Sequence, residues 1–428
     1  MAINVYPPYG SQVNPQYVTF DGNNVDAFGR LRVSNPYTLF DSQARFSADS
    51  SYSYVTATGG TTSYNTNKSS VNLNVTTSSG STVVAQTYRV FAYQPGKSLL
   101  TMQTFTMAAA QTNLVQRIGY FSAYNGVYLE QGPNGITFVV RTYTSGSVDS
   151  TRYVAQANWN GDKMDGTGPS GVTLDLTKTQ ILWFDFEWLG VGSVRCGFVV
   201  NGQLITCQTF QNSNFQTAVY MQTAILPLRY EIATTGTTSS SAAMQQICST
   251  VISEGGYEQI SQAYIARPTN NGITIANNTG LTFTPIISIR VNSSYYGAII
   301  IPALVNFAPT SQGYYEVVMI RNATLTGATW AAGAMSGRQV DTDTAATVAV
   351  APSADAIVQT DYIVATNQGA APVIAPFGYN WDYQLRYTAS LSGNGYASSD
   401  TFTLAARGIS NSPAGSGIGS MQFWNLTV

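Results

Sequence analysis

Histidine is absent from the sequence. That removes Ser-His-Asp and Cys-His triads, His-ligated zinc and charge switching by imidazole near neutral pH. Charge is scarce as well: only 9% of the 428 residues are charged and the net charge is −2, against roughly 25% charged in ordinary soluble domains. Solubility therefore rests on Ser, Thr, Asn, Gln and Tyr. With no basic patch to hold phosphates, the composition argues against nucleic acid as a partner. There are three cysteines, Cys196, Cys207 and Cys248, too few and too odd in number for a disulfide framework. They read as buried free thiols acting as small apolar residues, with a cross-strand Cys196–Cys207 bridge as the rival. No apolar run approaches the ~20 residues of a transmembrane helix, so membrane insertion is not expected. The opening MAINVYPPYG has neither a basic n-region nor an apolar h-region and does not read as a signal peptide.

What is present is β patterning. The stretch 181–210, ILWFDFEWLGVGSVRCGFVVNGQLITCQTF, alternates apolar residues at Leu182, Phe184, Phe186 and Trp188. Gly190-Val191-Gly192 and Asn201-Gly202 punctuate it, and Asn-Gly between β-rich runs is a hairpin signal. Three antiparallel strands follow, about 181–189, 193–200 and 203–210. The turns pair Val200 with Gln203, hence Cys196 with Cys207, and Leu189 with Ser193, hence Glu187 with Arg195. One face then carries Leu182, Phe184, Phe186, Trp188, Cys196, Phe198, Val200, Ile205 and Cys207, a core face. The other carries Trp183, Asp185, Glu187, Arg195, Val199 and Leu204. A one-residue slip would put the charges in the core.

Short strands recur every dozen residues or so from 83 to 142, with turns at Pro95-Gly96, Asn125-Gly126 and Asn134-Gly135. That spacing predicts an all-β chain whose first domain is a jelly-roll or concanavalin-like antiparallel sandwich. The predicted organisation is an extended N-terminal docking arm over 1–50, a sandwich over 51–260, and a second, smaller β-sandwich over 261–428. Pro302 inside an apolar run predicts an edge strand or bulge. No helix longer than about two turns is expected. The arm carries Pro7, Pro8 and Pro15, which keep it extended, with strand pieces at 30–33 and 37–40. Its apolar residues need burial somewhere, and Phe20, Phe28, Arg30, Leu31, Arg32, Tyr37 and Phe40 are its candidate interface. Its charges, Asp26, Arg30, Arg32 and Asp41, read either as internal salt bridges or as docking to a neighbouring subunit. Segment 37–46 is expected to pack on the first domain while 1–25 reaches a neighbouring chain.

The run AFGRLRVSNPYTLFDSQ (27–43) closely resembles a signature of virion structural proteins of tailed bacteriophages, of the marine and environmental type. The resemblance continues through YQPGKSLL (93–100), RIGYFSAYNGVYLEQ (117–131), DGTGPSGVTLDLTKTQILWFDFEWLGVGSVRCGFVVNGQ (165–203), LPLRYEI (226–232) and ICSTVISEGGY (247–257). It covers about 19–260, and more loosely NATLTGATW (322–330) and MQFWNL (421–426). It implies a β-type structural component of a phage particle, such as a capsid decoration or tail fibre. It also implies location in the virion after assembly in the host cytoplasm, partners among other virion proteins, and a homotrimer. It implies no catalytic residues.

Three chemistries are weighed beside it. Paired carboxylates for glycoside hydrolysis are best offered by Asp185 and Glu187, on one strand face with Trp183. A surface pair of Glu187 with Arg195 is the stronger reading, so no enzyme is expected. Asn158, Asn160, Asp162 and Asp165 are closely spaced oxygen ligands, but the calcium-loop pattern lacks its glycine, where Lys163 stands, and its closing Glu. An Asx-turn-rich loop without a cofactor is preferred. Host-surface carbohydrate is the rival partner, in a lectin-like receptor-binding protein serving host attachment. Its candidate contacts are the loop aromatics Tyr124, Trp159, Tyr295, Tyr296, Tyr379, Trp381 and Tyr396.

Overall fold

The computed structural model describes residues 25–26, 30, 35–258, 260–268, 272–332, 339–366, 373–376, 381–409 and 415–427. The chain is all-β. Among the described residues the only helical segments are 3-10 turns of three residues each. It divides into two compact units, one of residues 1–50, 56–85 and 93–257 and one of residues 51–55, 86–92 and 258–428.

The first unit is an antiparallel sandwich. One sheet runs, in spatial order, Gln203–Phe210, Val194–Val200, Gln180–Phe186, Leu99–Thr106, Ala242–Ser253, Ser70–Val75 and Thr61–Asn65. The long strand Ala242–Ser253 carries Ser70–Val75 on one half of its far edge. Along the other half lies Tyr37–Gln43. We call this the arm-bearing sheet. The second runs Asp149–Ala155, Gly135–Thr142, Gly126–Gly132, Leu114–Phe121, Leu228–Thr234 and residues 82–85. Aromatic residues join the two. Phe138 of the second sheet meets Phe184 edge-on at 5.9 Å and tilts against Phe198, while Tyr120 lies 5.0 Å from Phe186. Phe184, Phe186 and Phe198 are all buried on that inner face, as their alternation requires.

The register of the central hairpins differs from the expected one in two places. Val200 pairs with Gln203 across the Asn-Gly turn, but Cys196 pairs with Gln208 rather than Cys207, because a bulge falls between Cys196 and Gly197. Gly197 admits the bulge: a Cβ there would run into the Ile205 carbonyl. Likewise Arg195 faces Asp185, not Glu187. The turn spans Trp188–Gly192, closed by Gly192 N–H donating to the Trp188 carbonyl and Glu187 N–H to Ser193, so pairing is shifted by two residues. A shift of two leaves every side chain on its face, so the inner face survives. Trp188 departs from the expected core face: it is only half-buried and its indole N–H donates to the Met221 carbonyl. The three cysteines are free, with Cys196 and Cys207 buried. Burial raises the Cys196 and Cys207 thiols above their usual range.

The second unit also pairs a smaller with a larger sheet. The smaller contains Gln262–Ala266, Gly415–Asn425, Ile300–Pro309 and Val373–Pro376, with Ile273–Ile275 also on Gly415–Asn425. The larger runs Thr324–Thr326, Val348–Val350, Thr282–Val291, Thr401–Gly408, Gly313–Arg321 and Ile357–Ala365. Phe307 and Tyr315 meet between the sheets at 5.9 Å. A register break falls between Pro302 and Leu304, where proline cannot donate to the ladder.

Candidate functional site

Asp185 and Glu187, the carboxylates weighed for glycoside hydrolysis, have separate partners. Asp185 is fully buried on the outer face of the arm-bearing sheet, where it accepts from the Ser98 hydroxyl and the Arg195 guanidinium. Glu187 accepts from the Ser193 N–H and hydroxyl in the turn. Each carboxylate is occupied by structural donors. Arg195 also donates to the Val25 carbonyl. Asp26 is paired with Arg30 at 2.6 Å and accepts the Arg30 N–H. The described part of the arm thus lies on its own domain through internal polar contacts.

Of the arm's candidate interface residues, Phe20, Phe28, Leu31 and Arg32 lie outside the described residues, as does most of the expected strand piece at 30–33. Tyr37–Gln43 forms a full strand that buries Leu39 and Phe40 and leaves Tyr37 partly exposed, stacked on Tyr257 at 5.8 Å.

The 156–171 loop uses its oxygens internally. Buried Asp162 accepts from the Met164 and Ser170 N–H groups at 2.8 and 2.7 Å. Its burial favours the neutral acid, but these donors outweigh that and hold the carboxyl below its usual range. Gly168 packs so closely on this carboxylate that any Cβ would clash with it. Asp165 closes an Asx turn on Thr167. The Asn160 side chain both accepts from and donates to the Thr209 backbone, while Gly161 and Asp162 N–H donate to the carbonyls of Cys207 and Thr206. The loop therefore caps the outer edge of Gln203–Phe210. Asn158 is exposed on a 3-10 turn.

The candidate glycan aromatics separate. Trp159 is core, 4.7 Å from Phe138, its indole N–H donating to the Val154 carbonyl. Tyr396 is buried among Tyr296 and Tyr387, which is the environment of a packed side chain rather than a loop contact. Tyr295 is partly exposed. Tyr379 lies outside the described residues, and Trp381 starts a 3-10 turn. Tyr124 lies flat on Tyr143 at 4.1 Å and 5°, half-buried at the corner where Asn125 Oδ1 accepts from the Tyr143 and Gln222 N–H groups.

Beside that corner is a polar site the sequence reading missed. On the outer face of the second sheet, Arg117 bridges Glu130 at 2.7 Å and Glu231 at 2.6 Å. Arg229 binds Glu231 through two nitrogens at 2.8 and 3.0 Å. Arg141 donates to the Tyr128 hydroxyl and the Ser122 carbonyl and lies 4.8 Å from the Tyr128 ring centre. The register puts these on one face: Glu231 opposite Arg117, Arg117 opposite Glu130, Arg229 opposite Gly119, and Gly119 opposite Tyr128. A Cβ at Gly119 would meet the Tyr128 Cα at 2.7 Å, so only glycine fits there. Burial alone would raise the Glu231 carboxyl, but Arg229, Arg117 and Arg141 hold it well below the usual carboxylate range. Glu231 therefore stays ionised and cannot act as a general acid near neutral pH. The signal was present in the sequence as charges two apart, Arg229 and Glu231 in LPLRYEI, and as Tyr128 and Glu130 in GVYLEQ. Spacing alone does not reveal that four strands bring them together.

No protein-family model matches the chain, and no curated protein matches it. Solved structures with a similar arrangement include the carbohydrate recognition domain of Emp47p, with 11% identity and a TM-score of 0.32 over 51% of this chain and 95% of that one. A legume lectin-like domain from Entamoeba histolytica has 12% identity and a TM-score of 0.29, over 46% and 89%. A protein of unknown function from Shewanella oneidensis MR-1 has 9% identity and a TM-score of 0.33, over 57% and 100%. At these values the likeness bears on neither site nor activity.

Proposed function

We propose that the chain is a structural component of a bacteriophage particle, capsid- or tail-associated, acting through β-rich protein–protein contacts. One observation supports this most: the carboxylates that sequence offered for chemistry are tied up in ion pairs and turns, while the arm is built into the sheet as the strand Tyr37–Gln43. The signature run 27–43 that resembles phage virion proteins ends in that same strand. A homotrimer, capsid or tail partners and virion location belong to this reading. On this reading 1–25 reaches a neighbouring chain, and the deletion that tests it stops before Val25, whose carbonyl accepts from Arg195. Deleting 1–24 leaves both units folded by circular dichroism and thermal melting, and abolishes incorporation into particles. Incorporation of the truncated chain at normal copy number would remove the docking role.

A second reading, carbohydrate recognition on the same particle, is favoured by the flat Tyr124–Tyr143 stack beside Arg141. Aromatic faces stack on sugar rings, and guanidinium groups bind hydroxyls and carboxylates. On this reading the full chain retains glycans on an array, and Tyr124→Ala weakens retention about tenfold, the loss of one stacking contact of ~1.4 kcal/mol. Failure of the wild-type chain to retain any glycan removes the reading and leaves the first intact.

A further inference from the structure

The strand Ile357–Ala365 is the outer strand of the larger sheet of the second unit. It pairs with Gly313–Arg321 on one side, and among the described residues nothing pairs with the other. A nine-residue open edge is a template for another strand, and proteins usually blunt such edges with lysine, proline, a bulge or a covering loop. The first unit does this, since the 160–162 loop hydrogen-bonds to the edge of Gln203–Phe210. Ile357–Ala365 carries no lysine or proline, and its only register break lies at its start, opposite Met319 and Ile320.

Its surface is also apolar. Tyr362 is 70% exposed, Val364 55% and Tyr314 57%. Val364 stands opposite Tyr314, and Tyr362 opposite Glu316, so these side chains share one face. The Tyr362 hydroxyl donates to Glu316 at 3.4 Å, and Glu316 is paired with Arg407 at 2.6 Å. The patch is therefore held in place on a rigid strand pair. The single charge on the strand is Asp361, which accepts from the Gln359 amide at 2.9 Å.

We propose that this edge pairs with the same edge of a second copy of the chain, antiparallel about a two-fold axis centred on Tyr362. A two-fold axis perpendicular to the sheet keeps each side chain on its own face, so the centre must fall on a residue. Centring on Asp361 would set like charges opposite each other, which is destabilising. Centring on Tyr362 sets Asp361 opposite Ile363, Thr360 opposite Val364 and Gln359 opposite Ala365. Tyr362 then meets Tyr362, and the exposed apolar side chains of both copies form one strip across the seam. An isologous contact of this kind closes on itself. It does not depend on the chain being a particle component.

The test uses the full chain. Sedimentation is expected to show a species whose mass halves in the Thr360→Lys, Val364→Lys double variant, since the four lysines of a pair would meet at the seam. Both positions are exposed, so circular dichroism should be unchanged. Tyr362→Cys is expected to form a covalent dimer on mild oxidation, because directly opposed residues in an antiparallel pair lie ~4.5–5.5 Å apart at Cα, within disulfide reach. Tyr314→Cys, one strand further in and two residues off the axis on each copy, would place its Cα atoms about 20 Å apart, three strand spacings across and four residues along, and should not cross-link. An unchanged mass in the lysine variant, a monomeric wild type, or equal cross-linking at both positions would overturn the proposal.

Discussion

Replacing Glu231 by glutamine is expected to destabilise the first unit by about 3–5 kcal/mol, the cost of leaving a buried charge without its partner. Glu231 is the hub of the polar face. Its two oxygens receive Arg117 and Arg229, and the guanidinium groups of Arg117, Arg229 and Arg141 are crowded around it. Glutamine keeps the shape but offers one acceptor and brings an N–H toward a cation. The measurement is the urea midpoint at constant m-value. The pH dependence supplies a second readout. The folded-state pKa of Glu231 is depressed, so its stabilisation is present in full above the unfolded carboxyl pKa of about 4.3. It is lost as pH falls toward the folded value. The gap between wild type and Glu231→Gln should therefore be constant near neutrality and narrow below about pH 4. A variant in which Arg117, Arg229 and Glu231 all become apolar should recover much of the loss, because uncharged packing can replace a buried ion triad. A midpoint unchanged in Glu231→Gln would show that the network is not a stabilising unit.

Phe40→Ala is expected to cost about 3–5 kcal/mol, although Phe40 lies in what reads as a peripheral arm. It is 3% exposed and paired opposite Val251. Truncation through residue 44 goes further: it strips the strand from residues 248–253 of Ala242–Ser253 and uncovers that edge. Loss of the cooperative transition of the first unit is the expected result, in contrast to deletion of 1–24. A truncated chain that melted like the wild type would mean that the strand is an ornament on a sheet complete without it.

The contrast between Phe40 and the central hairpins shows what a sequence discloses here. Alternation placed Phe184, Phe186 and Phe198 on one buried face, because side-chain period depends only on local geometry. Register needed more. The Asn201-Gly202 turn gave the Val200–Gln203 pair, but Gly197 then inserted a bulge whose only sign was a glycine inside a strand. The Trp188–Gly192 turn has glycines at 190 and 192, which read equally well as a shorter turn. Asp185 was legible as a charge on the mixed face, but not as buried, because Ser98, just before Leu99–Thr106, and Arg195 on Val194–Val200 reach it from either side. The polar face around Glu231 was hidden for the same reason: its members come from residues 117, 130, 141, 229 and 231. Gly135–Thr142, Gly126–Gly132 and Leu114–Phe121 are sequential hairpins, but the pairing of Leu114–Phe121 with Leu228–Thr234 that completes the group is non-local. Trp159 reads as a loop aromatic, and its place against Phe138 depends on the 3-10 turn at Gln156–Asn158 folding it inward.

The pairing of Tyr37–Gln43 with the far half of Ala242–Ser253 also sets an order of events during synthesis. The arm leaves the ribosome first, yet its partner strand is complete only at Ser253, roughly 210 residues later. At 5–20 residues per second that is a wait of about 10–40 s. Throughout it Leu39 and Phe40 have no sheet to enter, and the edge they will cover does not yet exist. Contacts of such long sequence separation fold slowly. The nascent chain thus carries Leu39 and Phe40 unprotected for most of the time taken to make the first unit. Closing the sheet is a late step, and chaperone demand should fall sharply once residue 253 has emerged.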